Sequence, residues 1–300
     1  MRKRLLRSAV VIPLVLMIST MSGPAFSSPL QSVTASSYGA QVSGLLPLGP
    51  LPQATASFPP PTLDEKNGVL ELPLGALAYE GVAVVRAQTT TDSSLTKTLP
   101  NDRLTVQGGA LPAGYNARSF AQVDGTALLL NTDLPIEDLP DLLTELDPNV
   151  ALVNVGLIQS EALVSCVEGT AVIAAGSQIV GPITVAGIQL QEPVGNLTNQ
   201  VVDLAGTLAE GILTIRRNVV EPRPNGLAVT ALRIEVLGTT LVLDIAHAEV
   251  SGSVCEPIAA PAPQILPRTG GDGAGLGVLL LGGGLLLFMA ERRRRANALN

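Results

Sequence analysis

The residues best placed for a defined reaction lie near the C-terminus, at Leu266-Pro267-Arg268-Thr269-Gly270. Pro267 disfavours helix at Leu266 and favours an extended strand, the form in which a peptide enters an enzyme's cleft. Gly270 and Gly271 leave the Thr269 carbonyl unshielded, so the Thr269–Gly270 bond is open to acyl transfer. Other reactive side chains are sparse. His247 is the single histidine, and no Gly-x-Ser-x-Gly elbow accompanies it. In a regular strand His247 and Glu249 point to one face and Asp244 to the other, which favours a solvated or hydrogen-bonded histidine over a Ser/His/Asp site. Carboxylate pairs occur at Glu137/Asp138 and Asp141/Glu145 in a chain with hardly any aromatics to form a sugar platform. The acidic stretch 133–147 departs from the calcium-loop spacing and lacks its glycine. Arg216, Arg217 and Arg223, with Glu221 between them, read as paired surface charges. No catalytic residue, metal site or cofactor is expected, because one histidine and two isolated cysteines give no ligand spacing.

Several elements must position the pentapeptide. Ala274 to Ala290 is an apolar run of 17 residues; as a helix it is about 25 Å long, the short end of what spans a bilayer. Arg292, Arg293, Arg294 and Arg295 follow it as a positive-inside stop, the start of a basic cytoplasmic tail over 291–300. At the other end Arg2, Lys3, Arg4 and Arg7 precede an apolar stretch from Ala9 to Met21. Small residues at Ala25 and Ser27 complete a secretory signal peptide over 1–27, cut before Ser28; a second acceptable site is Val33-Thr34-Ala35, before Ser36.

Pentapeptide, apolar run and arginine stop together resemble the LPXTG sorting signal of Gram-positive surface proteins. The resemblance implies a sortase that recognises Leu266 and Pro267, cuts between Thr269 and Gly270, and joins Thr269 to peptidoglycan. The apolar run is then a transient membrane anchor, and the protein is the substrate of the reaction.

Export fits the cysteine usage: Cys166 and Cys255 are the only two, which suits one disulfide in an oxidising compartment, two unpaired thiols being the other reading. The mature chain from Ser28 to Thr269 keeps 10 basic and 23 acidic residues, a net charge of −13 against −7 for the whole chain. So acidic a surface argues against nucleic-acid binding, which needs a basic footprint.

Between the targeting ends, 28–256 is expected to be one extracellular β domain. Its start, 28–63, is rich in Pro, Ser and Ala, with a strand near Tyr38 and a stiff Pro59-Pro60-Pro61 segment. From about Leu70 to Val254 strands dominate, best seen at 75–89, 117–130, 151–167, 170–179, 182–191, 207–219, 226–237 and 240–250. Leu232, Ile234 and Val236 alternate with Arg233 and Glu235, and a turn at 237–240 returns the chain into Leu241, Leu243 and Ile245. This hairpin needs another sheet to cover its apolar face. Leu139, Leu142, Leu143 and Leu146 have helical spacing, Pro140 suits a first helical position and Pro148 ends the run, predicting one short helix. Residues 257–265 form a Pro/Ala linker. The expected fold is mainly β, a single-domain β-sandwich with that helix; a β-solenoid or partly open barrel is the alternative, although no fixed-period repeat supports a solenoid.

The core is also similar to the choice-of-anchor P proteins of actinobacteria. Residues 37–50 (SYGAQVSGLLPLGP), 225–238 (NGLAVTALRIEVLG), 244–250 (DIAHAEV) and Cys255 carry that similarity. It implies a wall-attached surface domain and transfers no catalytic residue. The expected product is a secreted, non-enzymatic cell-wall protein with a structural, adhesive or surface-interaction role and an unknown surface ligand. A wall-anchored hydrolase and an unprocessed single-pass membrane protein are the alternatives.

Overall fold

The computed structural model describes residues 29–44, 47–74, 77–130, 151–190, 198–207, 209–236 and 241–256. The expected signal peptide, the expected short helix near Leu142 and the expected linker, with the pentapeptide, the apolar run and the four arginines, lie outside the described residues. Strands make up 74% of what is described, and no helix there reaches seven residues, so the mainly-β expectation holds. Among the described residues no helix is long and apolar enough to cross a membrane.

Two open antiparallel sheets carry the fold. The first runs in the order β10 (Gln200–Val201), β11 (Leu213–Arg223), β12 (Gly226–Val236), β13 (Leu241–Cys255), β1 (Leu30–Gly44) and β2 (Leu48–Phe58). The second runs β3 (Leu63–Leu74), β4 (Leu77–Thr89), β6 (Ala117–Leu130), β7 (Val153–Val167), β8 (Thr170–Val185) and β5 (Leu104–Gln107), with β9 (Ile188–Gln189) also beside β8. Neither sheet closes into a barrel. Every pairing between described strands is antiparallel, unlike the parallel coils of a typical β-solenoid.

The expected hairpin is β12 and β13, with Leu232 opposite Ile245, Ile234 opposite Leu243 and Val236 opposite Leu241. Two expectations about strand extent are corrected. The expected strand near Tyr38 is β1, but the Pro-rich start holds a second strand, β2, whose Pro50 and Pro52 are tolerated because it is an edge strand where a missing N–H breaks no ladder. The segments 170–179 and 182–191 were expected as separate strands, yet β8 runs through both Gly181 and Pro182. Gly181 has φ 98° there, and the β7–β8 register shifts beside it, so the glycine marks a bulge rather than a turn.

The two inner faces share one core, filled by aliphatic and alanyl side chains such as Val33, Ala35 and Ile245 from the first sheet and Ala83, Val123 and Ile158 from the second. The chain contains no tryptophan, Tyr79 is the aromatic side chain buried in this core, and small groups face one another where the layers come closest. A Cβ on Gly39 of β1 would lie 2.5 Å from the Cβ of Ala83 on β4. Nearby, the Ser119 hydroxyl of β6 donates to the Ser36 carbonyl of β1 and accepts the Glu249 N–H of β13 at 3.2 Å. A side chain of one layer is thereby inserted into the ladder of the other.

The edge strands β2 and β3 cover one another. Thr55 N–H donates to Asp64 Oδ2 and Ser57 N–H to Thr62 Oγ1, each at 2.9 Å, while Lys66 Nζ donates to the Gln53 carbonyl at 2.6 Å. Backbone groups that would invite another chain are occupied in this way. A covalent link joins the layers as well: Cys166 at the end of β7 is bonded to Cys255 at the end of β13, with 5.6 Å between the Cα atoms.

Two outcomes follow for stability. Gly39→Val should destabilise the domain by roughly 1–3 kcal/mol through overpacking, read as a lower urea midpoint; an unchanged midpoint would mean the layers can part. Replacing both cysteines by alanine should cost up to about 4.6 kcal/mol, the chain-entropy value for a loop this long. Equal unfolding curves for the double variant and the parent under oxidising conditions would contradict that expectation.

Candidate functional site

The polar residues singled out from sequence around His247 converge on the outer face of the first sheet. Their convergence has a backbone cause. Ala246 of β13 has φ 52°, a left-handed conformation costly for alanine, yet the pairing of β13 with β1 and β12 keeps its register through it. The strand alternation is reset there: Ile245 and Ala246 both enter the core, and His247 emerges on the side that Asp244 occupies. Opposite Ala246 on β12, Ala231 and Leu232 are also consecutive core residues. Opposite Ala231 on β11 sits Asn218, again left-handed at φ 50°. A transverse row of irregular positions therefore crosses the sheet. The expectation that Asp244 faces away from His247 is overturned by this reset.

The result is a continuous seam of ion pairs. Asp244 is held by Arg233 through two hydrogen bonds, at 2.6 Å from Nε and 3.0 Å from Nη2. Arg233 reaches on to Glu221 at 3.2 Å, Glu221 to Arg223 at 3.0 Å, and Arg223 to Glu249 at 3.0 Å. Glu249 lies 3.6 Å from Nε2 of His247, whose Nδ1 shares a 2.9 Å hydrogen bond with the Thr230 hydroxyl. The imidazole stacks on Tyr38 of β1, with ring centroids 4.4 Å apart and planes 8° from parallel.

Charges in the seam stabilise one another. The neighbouring His247 imidazole, then Arg223 through its hydrogen bond and its charge, hold the Glu249 carboxyl down at about 2 against the opposing effect of burial. The Asp244 hydrogen bond pushes Arg233 above its ordinary value, and burial, helped by the Asp244 charge, pushes the Tyr38 hydroxyl up. The Ser/His/Asp arrangement is not assembled at Asp244, which is taken by Arg233, and the hydroxyl on His247 belongs to Thr230, only 2% exposed. The basic cluster is divided: Arg223 joins the seam, Arg216 pairs with Glu235 at 3.3 Å, and Arg217 donates to Gln200 Oε1 at 2.7 Å.

One buried charge was missed from sequence. Glu161 on β7 is fully buried, accepting the Thr98 and Leu99 N–H groups at 2.9 Å and Arg118 Nε at 2.7 Å. It fastens the segment between β4 and β6 over the outer face of the second sheet, where Leu95, Tyr115, Leu163 and Ala174 form a small separate cluster. Glu161 as the one charged residue in 148–167 was the available signal. Among the described residues no group of three or more His, Cys, Asp or Glu could hold a metal ion. Of the expected site residues the structure brings Cys166 and Cys255 together; Leu266, Pro267, Thr269, Gly270 and Arg292 to Arg295 lie outside the described residues.

Comparison with known proteins found no matching family model, no similar curated protein and no similar solved structure.

The Glu249 shift has a definite sign. A carboxyl lowered from its ordinary 4.5 to about 2 on folding adds stability that is fully present above pH 4.5 and lost as pH falls through about 2. Glu249→Gln should therefore be less stable than the parent at neutral pH and lose less stability across that acidic window. Urea unfolding as a function of pH measures both, and parallel curves for the two proteins would count against the assignment.

Proposed function

We propose that this chain is an exported surface protein joined covalently to peptidoglycan by a sortase, with a β-sandwich domain that acts without catalysis. The observation that carries this reading is the order of segments at the C-terminus: Leu266-Pro267-Arg268-Thr269-Gly270, the apolar run from Ala274 to Ala290, then Arg292 to Arg295. The run and the arginines hold the tail in the membrane while Leu266 and Pro267 are recognised outside it. The Thr269–Gly270 amide breaks, Gly270 leaves as a free amine on the membrane segment, and an amine of peptidoglycan forms the new amide with the Thr269 carbonyl. Export is supported by the basic and apolar N-terminus and by the bridge between Cys166 and Cys255, which suits an oxidising compartment.

The role of the domain is structure, adhesion or contact with a surface ligand. The polar seam supports a non-catalytic role, since its carboxylates are matched to arginines and the hydroxyl beside His247 is buried. The strongly acidic mature chain favours solubility in the wall.

Cell fractionation tests the proposal. Thr269→Ala, or deletion of 266–270, should move the protein from the fraction released by lysozyme to the membrane or the medium. Wall attachment that persists unchanged in both variants would sink the proposal.

A further inference from the structure

We infer that the folded mature protein begins at Ser28, and that cleavage at the second small-residue site, before Ser36, yields no stable product. The inference rests on the export reading above and sharpens it to one processing site. Sequence alone allows both sites, because Ala25/Ser27 and Val33/Ala35 each place small residues where signal cleavage requires them. The fold distinguishes them.

Strand β1 starts at Leu30, so a cut before Ser36 removes its first six residues. These are not a fraying end. Leu30, Val33 and Ala35 are core residues with 3%, 2% and 0% exposure. The same stretch is paired on both sides within its sheet: Leu30 with Cys255, Thr34 with Ser251 and Ala35 with Val250 on β13, and Val33 with Phe58 and Thr34 with Ser57 on β2. Side-chain and terminal bonds add to the ladder. Ser32 Oγ donates to the Gly252 carbonyl at 3.1 Å, and Glu256 N–H donates to the Pro29 carbonyl at 3.0 Å.

Loss of this stretch would strip one flank from β13 between Val250 and Cys255, the end that carries the disulfide. It would also leave a gap between β2 and β13 that no other described strand fills. A cut before Ser28 leaves all of these contacts, including the Pro29 carbonyl. Signal removal precedes folding, so the fold does not shield the second site. It determines which product can complete its sheet and accumulate.

N-terminal labelling and mass spectrometry of the full chain, produced in a Gram-positive host, test the inference. The labelled N-terminal peptide should begin at Ser28. A peptide beginning at Ser36, as the main species of folded protein, would overturn the inference while leaving export intact. Retention of residues 1–27 would overturn the inference, and only a chain left wholly inside the cell would overturn the export reading as well. A second variant, full-length but lacking residues 28–35, keeps the first cleavage site and is released starting at Ser36. Its abundance should fall several-fold or more, and accumulation at the parent's level with the disulfide formed would contradict the inference.

Discussion

Two β-sheets can exchange hydrogen bonds through their faces only where side chains between them are small. That close approach governs much of this protein. With no tryptophan in the chain, the interior is sealed mainly by alanine, valine, leucine and isoleucine, with Tyr79 buried among them. At Gly39 the layers come so near that a single added carbon would meet Ala83 at 2.5 Å. A serine from the second sheet can then complete the ladder of the first, as Ser119 does between Ser36 and Glu249. Interior packing of this density leaves little room for change in volume. The disulfide adds a covalent cross-link between the layers at the ends of β7 and β13.

The outer face of the first sheet obeys a different constraint. Its charges sit on long strands whose alternation would scatter them, and the left-handed Ala246 and Asn218 mark the row where the alternation is reset. Asp244, His247 and Glu249 thereby join Arg223, Arg233 and Glu221 in one seam. Arginine suits this role because its planar fork binds two carboxylate oxygens at once, as Arg233 does with Asp244. In a strongly acidic chain such pairing relieves the repulsion that carboxylates on neighbouring strands would otherwise suffer.

Much of the architecture was legible in the sequence, and what escaped has physical reasons. The alternation of Leu232, Arg233, Ile234, Glu235 and Val236 gave the β12–β13 hairpin with its inward residues, since period two has only one reading there. Two lone cysteines, read with the expectation of export, gave the bridge. The reset at Ala246 was not legible, because alanine carries no sign of a left-handed conformation that only the surrounding sheet enforces. Strand β2 was hidden by its prolines, which are tolerated because it is an edge. Glu161 was passed over because its partners, the Thr98 and Leu99 amides, are 63 and 62 residues away in sequence and meet it only in the fold.

The central claim is that this domain is carried to the cell wall and bonded there through one threonine. The most direct measurement is mass spectrometry of peptidoglycan digests from cells producing the intact chain. The expected product is a C-terminal peptide that ends at Thr269 and carries a muropeptide. Peptides that continue through Gly270 into the apolar run, with none ending at Thr269, would contradict it.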